Sequence, residues 1–281
     1  MNPTARRISY VFLCALPFLD IALLGARPLR VPGLYQSIGA VLFAAIAVAA
    51  WILGVSAIGS AAAAPRKGAL AGALLILPFA IMSLLWVGIG APFQSTAEEN
   101  SMRFLVLVAS SIIVASAFVV LKEALHDAGE RLYSTVGFAA SVPAGVAYLF
   151  CTSMSVAYTN VSMRGDATPT PALLGDLYSM LEFVACVLTY ITTAAFATSL
   201  AETRWLGRGA ARAYVIASAV LVSLLVMRGV ALPEISSSTA PWYTRPGVIA
   251  GIPAVPWIMA SLLGVVVLRR AGDTKLETGS A

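Results

Sequence analysis

The residues of this chain best able to do chemistry are three charges set inside apolar stretches: Asp20, Glu182 and Arg228. A charge at the centre of a membrane-spanning helix costs roughly 2.5–3.5 kcal/mol, so each one requires a partner, a solute or a route to water. At a rise of about 1.5 Å per residue, all three lie about 6–8 Å below the outer edge of their stretches. A common depth permits contact. Three readings stay open: an ion pair that fixes helix packing, a site for a small polar or charged solute or a proton, and long side chains that reach back to the headgroups. The last fits Asp20 poorly, because its side chain is short.

Two polar stripes accompany these charges. Tyr178 and Ser179 lie one turn before Glu182, and Cys186, Thr189 and Thr193 follow it on the same helical face. A second stripe runs through Tyr148, Thr152, Ser155 and Thr159, with Tyr158 and Asn160 near its outer end. Such stripes line a wet cavity, or else their hydroxyls bond the i−4 carbonyls of their own helix. The candidate substrate-binding set is therefore Asp20, Glu182, Arg228, Tyr178 and Tyr158.

The elements that position these residues follow from the solvent. Apolar residues make up 59% of the chain and charged residues only 11%, with a mean hydropathy of +0.89, whereas soluble domains are roughly a quarter charged. The apolar residues fall in blocks long enough to cross about 30 Å of hydrocarbon as helices. Eight spans are predicted, over residues 8–25, 34–57, 69–91, 104–125, 133–160, 177–202, 213–232 and 248–268. Helices are required because lipid cannot satisfy backbone N–H and C=O groups, and the alternating polarity of a barrel strand is not seen. The fold class is all-α, a polytopic transmembrane bundle of about eight helices. Residues 1–270 form a single domain, and 271–281 are a short, disordered cytoplasmic tail.

A faint echo pairs Ser83-Leu84-Leu85 with Ser223-Leu224-Leu225, and Val119 to Lys122 with Val266 to Arg269. With four helices per half it would describe a parallel 4+4 duplication, although chance matches are common in so apolar a chain. Gly68-x-x-x-Gly72 and Gly247-x-x-x-Gly251 are candidate helix-crossing points. Tryptophans near span ends, such as Trp205 and Trp242, are expected as interfacial anchors. The outer connections comprise residues 92–103, 161–176 and 233–247, and the last two are long enough to be functional or disordered. Arg6-Arg7 before an apolar block has the form of a secretory leader, but no A-x-A site follows and Asp20 interrupts the block, so the helix is expected to be retained.

With the first end inside, the cytoplasmic side holds Arg6, Arg7, Arg66, Lys67, Lys122, Arg131, Arg204, Arg208, Arg212, Arg269, Arg270 and Lys275, which is 12 of the 18 basic residues. The bias predicts both termini in the cytoplasm of a multi-pass protein of the plasma (inner) membrane.

Several chemistries lack their residues. Cys14, Cys151 and Cys186 have no C-x-x-C spacing, so neither a zinc site nor a disulfide framework is indicated. The single histidine, His126, falls in a short charged connection, which excludes a haem held by two histidines within the bundle. Lys67, Lys122 and Lys275 lie at span ends or in the tail, leaving no mid-bilayer lysine for a Schiff base. Zincin, hydrolase-elbow and Walker motifs are missing, and basic residues come in pairs without interleaved aromatics, so no nucleic-acid partner is expected. Neither a cofactor nor a metal is expected. The sequence thus points to an integral membrane protein, read as a small-solute transporter or permease with an outward-facing polar site and no identified catalytic residue. The alternative is a non-catalytic subunit or sensor that contacts a membrane-protein partner or a second copy of itself.

Overall fold

A computed structural model describes residues 3–23, 34–89, 95–165, 172–229, 250–251, 254 and 258–279. Among these are eight α-helices and no strand: α1 (Pro3–Leu23), α2 (Leu34–Leu53), α3 (Ala63–Ile89), α4 (Ala97–Asp127), α5 (Leu132–Arg164), α6 (Ala172–Glu202), α7 (Arg208–Arg228) and α8 (Ile258–Gly279), with a short 3₁₀ turn at Val55–Gly59. Six of them, α2 to α7, are long and apolar enough to cross a membrane by length and composition. The chain is a multi-pass integral membrane protein.

From α1 to α7 each helix lies along the next, as short connections dictate. The last helix breaks this order. It returns to lie along α3 and also touches α1, α2 and α6. Its Leu263, Val265, Val267 and Leu268 are fully buried and join the separate apolar clusters of α1–α3 and of α3–α6 into one interior. The extensive α3–α4 pairing has no counterpart of similar extent between α7 and the described part of α8.

Glycines make the α3–α8 crossing possible. A Cβ on Gly72 would lie 2.8 Å from the Gly264 carbonyl oxygen, and one on Gly264 would lie 2.8 Å from that of Gly72. The two backbones are therefore in contact, as small residues in membrane helices permit. Gly68 continues the seam against Ala271. The second predicted crossing cannot be followed, because Gly247 lies outside the described residues.

Helix ends differ from the expected span ends for local reasons. Residues 98–103, expected in an outer connection, belong to α4 because Thr96 and Glu99 form a capping box: the Thr96 hydroxyl accepts from the Glu99 N–H at 3.2 Å, and the Glu99 carboxylate accepts from the Thr96 N–H at 2.7 Å. Arg103 is thereby drawn inside, 1% exposed, donating to Asn100 at 2.8 Å and Ser95 at 3.1 Å. His126 stands in the last turn of α4 and is half-buried. At the other end of the chain, α8 continues past Leu268 to Gly279, into the segment expected as a disordered tail. Ala271 is buried there and Asp273 accepts from Arg6 at 2.7 Å. The missing Cβ of Gly272 leaves room for the Arg6 guanidinium, which also donates to the Arg269 carbonyl at 3.1 Å.

The α4–α5 turn carries a structural carboxylate. Glu130 accepts from the Tyr133 N–H at 2.7 Å, from the Ser134 N–H at 3.0 Å and from the Ser199 hydroxyl of α6. Burial pushes this carboxyl up, but the hydrogen bonds outweigh burial and hold it below the usual carboxylate range. Its contribution is therefore fully present above an unfolded value near about pH 4.3 and is lost as pH falls through the lower folded value. Glu130→Gln is expected to cost about 1–3 kcal/mol and to flatten the acid limb of a Tm-versus-pH curve recorded in detergent.

Candidate functional site

Helices α5, α6 and α7 bring part of the predicted set together. Glu182, in the first half of α6, lies within electrostatic reach of Arg228 at the end of α7, and of Cys151 and Tyr148 on α5. The carboxylate and the guanidinium do not close an ion pair, since no N–O contact of 4.0 Å or less joins them. Nε and Nη2 of Arg228 are both shielded from solvent and have no hydrogen-bond partner among the described residues. These two nitrogens share one edge of the guanidinium and donate in parallel, which is the geometry that takes a carboxylate or phosphate by two bonds at once. The side chain of Asp20 lies outside the described residues, although its backbone belongs to α1.

Tyr158 and Tyr178 meet elsewhere. Both line a groove of about 510 Å³ between the end of α5 and the start of α6, together with Ser155, Thr159 and Ser179, and with Phe104 of α4 at one side. Tyr178 connects the two regions, since it lies in the field of Glu182 one turn further along α6. The set thus divides into an inner pair, Glu182 and Arg228, and an outer groove with the two tyrosines.

The hydroxyl stripes follow the packing pattern. Thr152, Ser155 and Thr159 donate to the carbonyls four residues back at 2.8, 3.1 and 3.1 Å, and Thr189 and Thr193 do the same at 2.8 and 2.9 Å. Their protons are committed to their own helices, so they offer lone pairs to the interior. One further hydroxyl is different: Thr192, buried on α6, has no partner for its Oγ1 among the described residues. It borders a small cavity of about 20 Å³ that Ser111, Ser141, Tyr148 and Thr189 also line. Such a volume holds about one water.

One part of the interior escaped the sequence reading. Three tyrosines from three helices donate to backbone carbonyls around the start of α8: Tyr148 to Ala254 at 2.8 Å, Tyr190 to Ala250 and Tyr214 to Met259. Cys186 adds a weak contact to the Gly251 carbonyl at 3.9 Å. No local pattern in the sequence pairs these tyrosines with the carbonyls they reach. Removing one such donor, as in Tyr148→Phe, is expected to strand the Ala254 carbonyl and lower stability by about 1–3 kcal/mol, read as a drop in Tm.

The three cysteines are free thiols. Among the described residues no cluster of three or more His, Cys, Asp or Glu assembles. The chain matches no family model, no curated protein and no solved structure. Its function is therefore read from the geometry alone. Trp205, expected as an interfacial anchor, is instead half-buried against α3 near Gly68, whereas Trp51 is 61% exposed as a lipid-facing residue would be. Trp242 lies outside the described residues.

Proposed function

We propose that this protein is a small-solute transporter or permease whose inner site takes an acidic or zwitterionic solute between Arg228 and Glu182. The observation that carries the proposal is the unpartnered Nε/Nη2 edge of Arg228 beside a carboxylate that does not fill it. Buried donors without acceptors cost about 1–3 kcal/mol each, so an anionic group that occupies the fork gains that penalty back in addition to its own bonds. A zwitterion fits both halves, with its carboxylate on Arg228 and its ammonium toward Glu182. The groove of Tyr158 and Tyr178 then serves as the vestibule. Asp20 is proposed as a third member, on the depth it shares with the pair. The bias of basic residues supports a plasma-membrane orientation with both termini in the cytoplasm.

A second reading, a non-catalytic subunit or sensor bound to a membrane-protein partner, draws on the hydroxyl stripes, whose protons are committed as packing helices require. A thermal-shift screen in detergent separates the two. Carboxylates, amino acids, inorganic phosphate and neutral sugars are titrated against wild type, Asp20→Asn and Glu182→Gln. The transporter reading expects one carboxylate-bearing class to stabilise wild type, by about 2.7 kcal/mol at a hundredfold excess over Kd, and expects both variants to shift its affinity: weaker for an amino acid, whose ammonium loses a partner, and tighter for a carboxylate without an amine, which loses a repelling charge. No response to any solute, together with destabilisation of both variants, would favour the subunit reading.

A further inference from the structure

We infer that the groove between the end of α6 and the start of α7 is a binding site for an anionic phospholipid. Thr198, Ala201 and Glu202 of α6 and Arg208, Ala211, Arg212, Val215 and Ile216 of α7 enclose about 460 Å³, open at the surface of the bundle. Its polarity is graded along the helices. Arg208 and Arg212, one turn apart, flank the terminal end, while Val215 and Ile216 line the part nearer mid-bilayer, with Ile216 63% exposed. From Arg208 to Ile216 the helix rises about 12 Å, which spans a headgroup and the first part of an acyl chain.

Charge complementarity selects the occupant. Among the described residues neither arginine has a hydrogen bond or ion pair, not even with Glu202, which shares the groove. Two guanidinium groups against one carboxylate leave a net positive mouth. The same end holds the start of α7, whose cap residue Gly207 makes no side-chain bond to the first turn; free N–H groups there favour a negative group. A phosphate between Arg208 and Arg212, with its chain against Val215 and Ile216, satisfies both ends of the groove. A neutral headgroup would leave the arginines without a counter-charge, and free phosphate would leave the apolar half uncovered. Basic pockets between membrane helices hold anionic headgroups on this principle.

The full chain is purified in a neutral detergent and its Tm followed against phosphatidylglycerol, phosphatidylcholine and inorganic phosphate. Phosphatidylglycerol is expected to raise Tm in a salt-sensitive way, with the other two inactive. In the double variant R208Q/R212Q its apparent affinity falls about thirtyfold, since each arginine contributes about fivefold at an anionic surface, while the lipid-free Tm is unchanged. Val215→Ser with Ile216→Ser leaves the charges in place and is expected to weaken phosphatidylglycerol binding as well. Equal responses to both lipids, a response to inorganic phosphate matching that to phosphatidylglycerol, or an R208Q/R212Q variant that responds like wild type would each overturn the assignment.

Discussion

Gly264→Leu is expected to be among the most damaging single substitutions in the described bundle. The Gly264 Cα faces the backbone of α3, and a Cβ there would lie 2.8 Å from both the Gly72 oxygen and the Leu75 Cβ, and 3.0 Å from Ile76 Cγ1. The first two are a backbone oxygen and a Cβ fixed to the backbone, and neither can swing away. Relief requires α8 to move off α3, and α8 carries residues of three apolar clusters. Overpacking of this kind costs about 1–3 kcal/mol where the structure can yield. Here the cost is expected at or above the upper figure, because the movement would also disturb α1 and α2. The measurement is Tm in detergent together with the yield of monodisperse protein. Gly175→Ala is the control: a methyl group added there, in α6, would meet nothing within 4 Å, so the variant is expected to leave Tm unchanged or slightly raised.

The second large effect concerns recognition. Arg228→Lys keeps a positive charge near Glu182 but removes the parallel donors on the Nε/Nη2 edge. If that edge holds the carboxylate of a solute, affinity should fall about thirtyfold to a hundredfold, as loss of two charge-assisted bonds worth about 2–3 kcal/mol together implies. Stability without solute should change little, because no protein group loses a hydrogen bond. Titration of the solute that stabilises wild type, repeated on the variant, gives both numbers. An unchanged affinity would show that only charge, not fork geometry, is read.

Much of the fold was legible because lipid leaves the backbone few choices: long apolar blocks must be helices, and their number followed from counting the blocks. Helix ends were less legible. The capping box at Thr96 and Glu99 recruits Glu98 to Arg103 into α4, yet those residues are polar and a hydropathy reading assigns them to a connection. Arg103 was missed as a buried charge for the same reason. Depth along separate helices permits Glu182 and Arg228 to come near each other, because a bilayer imposes one coordinate on every span. Lateral position has no such signal: nothing in the sequence set Tyr158 and Tyr178 in a groove apart from the inner pair, or brought α8 into the middle of the bundle. The three tyrosine hydroxyls at the entry to α8 belong to helices α5, α6 and α7, and no local pattern pairs them with the carbonyls they reach.

Whether Arg228 is held open for a ligand or serves as half of a structural ion pair is decided most directly by the Tm of Arg228→Met in the absence of any solute. Methionine is similar in length and carries no donors. With the guanidinium edge unpartnered among the described residues, the variant should be as stable as wild type or up to about 2 kcal/mol more stable, because two stranded donors are removed. A loss of about 3–5 kcal/mol, the cost of breaking a buried ion pair, would contradict the account and make the pair a device of packing.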